Sequence, residues 1–209
     1  MNIPSNWKEE AISEQTPAAR LDFLAGINAE LARLVAGNPN TSPDVLWRLA
    51  KKFPDEFFKN TILPLLFLEN PNCILEQPLG VLLTLLKEHI VPEWFLLEAT
   101  RHKDSRVLLA VAKNPQITDK IIAKLIEKNR QIQLYLASNP NISYNAIELL
   151  YQTKTSDYEA RLYIREAVAK HPHTPIKVLE KLAFDAEHRI KKAVASLLWN
   201  LSSSTAKKS

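Results

Sequence analysis

The feature that most constrains how this chain can fold is a proline-marked corner between two helices, which recurs along nearly its whole length. The clearest copy is Ala167–Ala183, AVAKHPHTPIKVLEKLA. A residue before proline is pushed out of the α region and proline lacks the N–H that continues a helix, so one helix is predicted to end at His171 and Pro172. Thr174 is a favoured N-cap and Pro175 suits a first helical turn, which predicts that a second helix begins there.

The copies share one register. We number the corner residue of each copy zero, as for Pro172 above, and count positions before and after it. Most steps between successive zero positions are 25 or 26 residues. Apolar residues recur eight and four residues before zero, and seven and ten residues after it. This spacing predicts two short helices per repeat, and repeats of this kind bury their apolar faces against their neighbours. The zero positions are Glu14, Pro39, Pro71, His89, Pro115, Pro140, Pro172 and Leu198.

A column of small residues and a few irregular segments complete the pattern. One corner lies seven residues late, and one step is seven residues longer than 25. Seven residues are about two helical turns, so the same face stays inward. We predict a single helical-repeat domain over residues 1–201, with an irregular insertion near 71–80 and an extra loop near 153–157. The polar residues 202–209 are predicted to form a disordered tail. The small residues, three before zero, are Ala36, Ala112, Ala137 and Ala169.

The repeated unit V-A-x-N-P-x-T-P-x-x-V-L-x-x-L-A resembles the leucine-rich-repeat variant family, over residues 14–201. The resemblance implies an all-α, right-handed α-solenoid of short helix pairs. The prototype of that family also carries an N-terminal iron–sulfur cluster held by cysteines, but this chain has no cysteine before Cys73. The resemblance therefore implies no such cofactor here. First helices such as Tyr158–Lys170 are long enough to be α-helical, which shifts the expected architecture towards a HEAT-like solenoid.

Composition excludes several other classes of protein. The 3 glycines are scattered, so no glycine-rich phosphate-binding loop can form. A single cysteine, Cys73, can form neither an internal disulfide nor an all-cysteine metal site. The first residues, MNIPSNWKEE, contain no apolar segment typical of a signal peptide, and the longest apolar run, Ile62–Leu68, is too short to cross a bilayer. We expect a cytoplasmic protein with no membrane partner.

No group of residues indicates catalysis, cofactor binding or a metal centre. Cys73 as a nucleophile would need a paired base, and no motif around it supplies one. His171 and His173 could hold a metal only with a third ligand, which the sequence does not identify. The alternative is that His171 replaces asparagine at the helix end, where a partly charged imidazole suits the helix dipole. We favour that alternative and predict no catalytic, cofactor-binding or metal-binding residue.

The basic residues are concentrated in the second half of the chain and define a candidate binding surface. Residues 1–100 carry 8 Lys or Arg and 13 Asp or Glu, whereas residues 101–209 carry 19 and 10. Several lysines recur at fixed positions of the repeat, so stacked repeats would align them in short basic stripes. These stripes either bind a partner or are an ordinary solvated face of the protein. Trp94 is either a partner anchor or packs on the insertion near 71–80. The candidate surface is Lys113, Lys120, Lys124, Lys170, Lys177, Lys181 and Trp94.

Three functions are compatible with these observations. The first is a non-enzymatic protein–protein interaction scaffold for an unidentified protein or peptide, because stacked helical repeats present extended surfaces. The alternative is binding of nucleic acid or another polyanion by the basic C-terminal half. A second alternative is an enzyme on a HEAT-like scaffold, of the glycosylase or pigment lyase type, for which no constellation of residues is visible.

The register generates a direct test. Leu179 is predicted to lie in the core, so we expect Leu179→Ala to lower the free energy of unfolding by about 2–5 kcal/mol through lost burial and the cavity left behind. Denaturant unfolding measures this change. A loss below about 0.5 kcal/mol, as expected of a surface substitution, would show that the register is wrong.

Overall fold

The computed structural model describes residues 4, 6–88, 91–153 and 157–206, with side chains as far as Asn200. These residues form α-helices joined by turns and contain no strand, which confirms the all-α fold class. No helix among them is long and apolar enough to cross a bilayer. The helices are α1 (Asn6–Ile12), α2 (Ala18–Ala25), α3 (Ala29–Gly37), α4 (Pro43–Ala50), α5 (Pro54–Lys59), α6 (Leu63–Glu69), α7 (Leu79–Leu85), α8 (Glu93–Ala99), α9 (Ser105–Lys113), α10 (Asp119–Leu125), α11 (Arg130–Ser138), α12 (Tyr144–Gln152), α13 (Tyr158–Lys170), α14 (Ile176–Ala183) and α15 (His188–Ala206).

The helices group into two compact units, unit 1 over residues 1–98 and unit 2 over residues 99–209. In unit 1, α3 packs against α1, α2, α4 and α5. In unit 2, α9, α11, α13 and α15 each pack against the next, and we call them the first-helix row. The second-helix row consists of α10, α12 and α14, each of which packs against the two first-row helices that flank it in sequence.

The apolar columns of the sequence form the cores of both units. The pairs eight and four residues before the corner are buried in α3, α9, α11 and α13, as is the alanine three residues before it. The residues seven and ten after the corner are buried as well, including Leu179, which the stability test above addresses. The predicted register is confirmed at these positions. The buried residues after the corner are Leu46, Leu49, Ile122, Leu125, Ile147, Leu150, Leu179 and Leu182.

A buried asparagine side chain ties a corner to the repeat before it. At Asn38, Nδ2 donates to the carbonyl oxygens of Ala11 at 2.9 Å and Ser13 at 3.0 Å, while Oδ1 accepts from the N–H of Asn40 at 2.9 Å. Carbonyl groups at the end of a helix have no partner within that helix, and the asparagine of the next repeat supplies one. We call a residue in this position a rung.

Rungs recur in both units with the same hydrogen bonds. Their amides are buried and satisfied on both sides, so each one links two successive repeats at no cost in unpaired polar groups. Because a rung ends one helix and holds the end of another, it also fixes how the following helix leaves the corner. The further rungs are Asn60, which donates to the carbonyls of Ala36 and Asn38 at 2.9 Å each, and Asn139, which donates to those of Ala112 at 2.9 Å and Asn114 at 3.2 Å.

The corner at Pro71 differs from the predicted register. Asn70 is exposed, and its Nδ2 donates to Oε2 of Glu76 at 3.2 Å and to no earlier helix among the described contacts. Asn60 takes the role of rung, although no proline follows it. The sequence analysis missed Asn60 because it used proline as the marker, whereas the residue before the proline makes the hydrogen bonds.

Thr174 stabilises the helix before its corner, and its predicted role as an N-cap is wrong. Its Oγ1 donates to the carbonyl oxygen of Val168 at 2.5 Å, near the end of α13. Pro175 occupies the N-cap position of α14, with no side-chain hydrogen bond. The fixed φ of proline is sufficient to start α14, which leaves the threonine hydroxyl free to satisfy an unpaired carbonyl of the preceding helix.

The first of the two predicted irregular segments lies largely in turns, and the second is described only at its ends. Residues 71–76 form consecutive hydrogen-bonded turns, after which α7 begins at Leu79. In the predicted loop near 153–157, residues 154–156 lie outside the described residues. Asp157 caps α13, because its carboxylate accepts from a main-chain N–H in the first turn.

The C-terminal helix extends further than the predicted domain. α15 continues to Ala206, so residues 202–206 of the predicted tail are helical, and residues 207–209 lie outside the described part of the chain. The buried residues Ile190 and Val194 anchor the start of this helix. Residues beyond an anchored segment add turns to an existing helix and need no new nucleus, so a polar sequence can continue it.

The rungs generate a stability prediction. We expect Asn139→Ala to lower the free energy of unfolding by about 2–4 kcal/mol, because two buried carbonyl groups and one N–H lose their partner. Asn70→Ala is the matched control, since Asn70 also precedes a proline but lies at an exposed corner. This variant should lower the free energy of unfolding by under about 1 kcal/mol. Urea unfolding measures both changes, and an equal loss of free energy of unfolding in the two variants would contradict the role of the rung.

Candidate functional site

The structure separates the predicted binding surface into three places. Lys113 and Lys170 lie in the last turns of α9 and α13, in the first-helix row. The other four lysines lie on α10 and α14, in the second-helix row. Trp94 belongs to unit 1, where it is half-buried. The lysine columns aligned by the register therefore lie on two different rows of helices.

Cations of the first-helix row are engaged within the protein. The ammonium group of Lys113 lies 4.0 Å from the centre of the Tyr135 ring, and that of Lys170 lies 2.7 Å from Oε1 of Glu166. Most arginines of this row are paired as well, so its positive charge is largely balanced locally. The arginine pairs are Arg106–Asp104, Arg130–Asp157, Arg165–Asp185 and Arg189–Glu166.

Lysines of the second-helix row have no ion pair within the described part of the chain. Lys120 and Lys124 lie on α10, and Lys177 and Lys181 lie on α14, all of them exposed. The two lysines on each helix are four residues apart, which is about one helical turn, so both ammonium groups lie on the same side of that helix. These four cations are therefore available to a partner.

A groove of about 540 Å³ lies between α12 and α14, beside two of these lysines. Its apolar lining comes from Tyr151, Val178 and Phe184, and the side chain of Phe184 is 90% exposed. Large apolar side chains this exposed are unfavourable unless another surface covers them. The charged groups along the groove are Lys177, Lys181, Glu148 and Glu180.

A second groove continues the first along the same row. It measures about 460 Å³ and lies beside the ends of α10 and α12, where Leu149 forms part of its lining. Gln152 lines both grooves, so they adjoin each other at the end of α12. Together they run from Ile126, just after α10, past the end of α12 to α14. Adjoining grooves between helices suit a peptide segment.

The amphipathic sequence of α14 places these side chains at the groove. Val178, Leu179 and Leu182 are buried on its inner side, which turns Lys177 and Lys181 towards solvent. The chain then leaves the helix through Phe184 and Asp185. Burial of one face by the core thus determines which residues the other face presents.

A largely buried ion pair holds the segment that carries Phe184. Arg165 Nη1 lies 3.1 Å from Oδ2 of Asp185, and the two side chains are only 23% and 6% exposed. Nε of Arg165 is also buried, with no hydrogen-bond partner in the described residues. Asp185 is therefore the main compensation for this guanidinium, and it fixes the end of the groove to α13.

Trp94 packs inside an aromatic cluster of unit 1. Its ring lies 5.3 Å from that of Phe67 in α6 and 5.7 Å from that of the fully buried Phe95. This packing partner in α6 precedes the insertion near 71–80, which was one of the two alternatives that the sequence analysis gave for Trp94. Aromatic contacts at these distances stabilise the unit, which gives Trp94 a structural role.

Two side chains outside the grooves have shifted pKa values, and the described residues offer no cluster for a metal ion. They contain no cluster of three or more His, Cys, Asp or Glu that could hold a metal ion. Burial raises the pKa of the Cys73 thiol, and the nearby carboxylate of Glu76 raises it further, so the reactive thiolate is disfavoured. The side-chain hydrogen bond from Arg106 lowers the pKa of Asp104 to about 2, at an exposed cap of α9.

His171 differs from the partly charged residue that the sequence analysis expected. It does replace asparagine at the helix end, but it is buried, and burial lowers its pKa. Burial opposes the charged form more strongly than the hydrogen bond to the carbonyl of Asn139 favours it. Burial therefore favours the neutral imidazole of His171 at this corner.

Comparison with protein-family models, curated proteins and solved structures finds no match to this chain.

The ion pair behind the groove generates a prediction. We expect Asp185→Ala to lower the free energy of unfolding by about 3 kcal/mol, because it leaves the guanidinium of Arg165 largely buried and uncompensated. Glu159→Ala, which removes an exposed partner of Arg130, is the control and should cost under about 1 kcal/mol. Chemical denaturation of both variants measures the difference. An Asp185→Ala variant with an unchanged free energy of unfolding would contradict the anchoring role.

Proposed function

We propose that this chain is a non-enzymatic protein–protein interaction scaffold that binds a peptide segment along the second-helix row of unit 2. The observation that carries the proposal is the pairing of the unengaged Lys177 and Lys181 with the exposed Phe184 along one groove, which a second groove adjoins at Gln152. The proposal includes a right-handed α-solenoid of the leucine-rich-repeat variant or HEAT-like kind and a cytoplasmic location. Both of these parts rest on the repeat pattern and composition of the sequence.

The chemistry of the grooves selects an acidic segment with at least one large apolar side chain. An aromatic or aliphatic side chain of the partner covers Phe184 and the floor at Val178, and excludes water from both. Carboxylates of the partner pair with Lys177 and Lys181. Glu148 and Glu180 disfavour carboxylates beside them, so they set the register in which the segment lies.

The charge of unit 2 favours the same class of partner. Residues 99–209 carry 19 Lys or Arg against 10 Asp or Glu, a net charge of +9. A charge of this size steers acidic partners to the unit and raises their association rate at low ionic strength. It is also the observation that favours the second candidate function, binding of nucleic acid or another polyanion.

Selection of peptides from a random display library on the immobilised protein tests the proposal. We expect the enriched peptides to contain an aromatic or aliphatic residue flanked by Asp or Glu. Their affinity should fall by about tenfold or more in the variant Lys177→Glu/Lys181→Glu/Phe184→Ala, which removes both the charge and the apolar contact. Fluorescence anisotropy of labelled peptides measures the change.

A variant of the first-helix row provides the matched control. Lys113→Glu/Lys170→Glu changes two lysines that are engaged with Tyr135 and Glu166, so it should leave peptide affinity within about twofold. Equal loss in both variants would show that only net charge matters. Failure to enrich any peptide, together with binding of duplex DNA at about 50 mM salt that weakens as salt is added, would replace the proposal by polyanion binding.

A further inference from the structure

Histidine replaces both asparagines of the corner motif at one place in the chain. Residues 38–40, 70–72 and 139–141 read Asn-Pro-Asn, whereas residues 171–173 read His-Pro-His. The amide of asparagine does not titrate near neutral pH, whereas imidazole does. The replacement thus introduces two titratable groups where neighbouring corners use neutral amides.

His171 serves as a rung in the same manner as Asn139 does one repeat earlier. Its ring is buried, and its Nε2 lies 2.9 Å from the carbonyl oxygen of Asn139. Its Nδ1 accepts from the N–H of His173 at 3.1 Å. A nitrogen that accepts from an N–H carries no proton, so the proton of the neutral ring lies on Nε2 and is donated to Asn139. One tautomer therefore reproduces both bonds of an asparagine rung.

His173 reproduces the second asparagine of the motif. At the equivalent position, Asn40 Nδ2 donates to the carbonyl oxygens of Glu14 at 2.8 Å and Thr16 at 3.3 Å, in the preceding repeat. Nδ1 of His173 lies 3.2 Å from the carbonyl oxygen of Ile142, which can only accept. Nδ1 of this ring therefore carries a proton, and both inter-repeat contacts of the motif are retained.

We propose that the His-Pro-His corner is a pH-sensitive joint, which fastens α13 and α14 to the preceding repeat at neutral pH and loosens them in acid. A second proton on His171 can be added only at Nδ1. There it faces the N–H of His173, so one hydrogen bond is lost and a charge is created inside the core. His173 differs, because its Nδ1 continues to donate to Ile142 when the ring is charged.

The surroundings of His171 offer no free carboxylate to stabilise that charge. The ring lines a groove of about 430 Å³ between α11 and α13, to which α11 contributes only uncharged side chains, Leu134, Ala137 and Ser138. The titratable groups that α13 contributes are Tyr163, Glu166 and Lys170. Glu166 is already paired with Lys170 at 2.7 Å and with Arg189 of α15 at 3.3 Å. No described residue of α12 or α14 lines this groove.

The direction of the pH effect follows from these surroundings. Burial lowers the pKa of His171 below its ordinary value, which is about 6.5 in an unfolded chain, and the neighbouring His173 lowers it further. Between the two values the unfolded state binds a proton that the folded state does not. The joint therefore contributes its full stability above about pH 6.5 and loses it as the pH falls below that value.

Urea unfolding between about pH 7.5 and pH 5 tests the joint in the full-length chain. The comparison is with His171→Asn/His173→Asn, which restores the Asn-Pro-Asn of residues 139–141 and should fold normally. Relative to this variant, the unfolding constant of the wild type should rise by up to about tenfold per pH unit below pH 6.5. His102→Asn is the control, because Nδ1 of His102 accepts only a local N–H, from Asp104 at 2.9 Å, and this variant should follow the wild type.

Hydrogen exchange at single amides gives an independent readout. The N–H of His173 is bonded to the His171 ring, and the N–H of Asn141 is bonded to the Asn139 side chain at 3.0 Å in the equivalent turn. Acidification should lower the protection factor of the His173 amide and leave that of Asn141 unchanged. The proposal would be overturned if the unfolding constants of the wild type and the double variant changed with pH in the same way. Equal changes in the protection factors of the two amides would overturn it as well.

Discussion

The buried rung side chain, which links one repeat to the repeat before it, is the interaction on which the rest of this structure depends. Most helices here are only seven to nine residues long, so unpaired carbonyl groups at their ends make up a large share of the backbone. Helices this short are unstable alone and persist because their neighbours complete their hydrogen bonds and cover their apolar faces. A rung such as Asn38 or Asn139 does the first, and the apolar columns of the repeat do the second.

The same packing that builds unit 2 divides its charge between two rows. In the first-helix row, close contacts such as Lys170–Glu166 engage most cations within the protein. In the second-helix row, Lys177 and Lys181 remain unpaired beside the exposed ring of Phe184. A net charge spread evenly over a surface attracts many partners weakly, whereas unpaired cations beside an apolar groove can discriminate among them.

The rung position accepts different side chains provided that they donate to a carbonyl of the preceding repeat and accept from a local N–H. Asparagine does so with two separate groups on one amide, and a neutral imidazole does so with its two nitrogens. Exchanging one for the other leaves the fold unchanged and makes stability at that corner depend on pH. The His-Pro-His corner directly precedes α14, the helix that carries Lys177 and Lys181.

The sequence by itself determined the all-α fold class, the helix-pair register and the core residues in the columns of the repeat, because apolar periodicity and proline punctuation are local properties of the chain. Only the tertiary structure decided which lysines are engaged, that Asn60 is a rung, and which tautomer His171 adopts. The hydrogen bonds of Asn60 and His171 reach carbonyls 22 and 32 residues away, those of Asn38 and Asn139. Lys113 likewise lies over the ring of Tyr135, in the next repeat. A residue's hydrogen-bond partner and burial are set by how helices pack, and no local pattern contains that information.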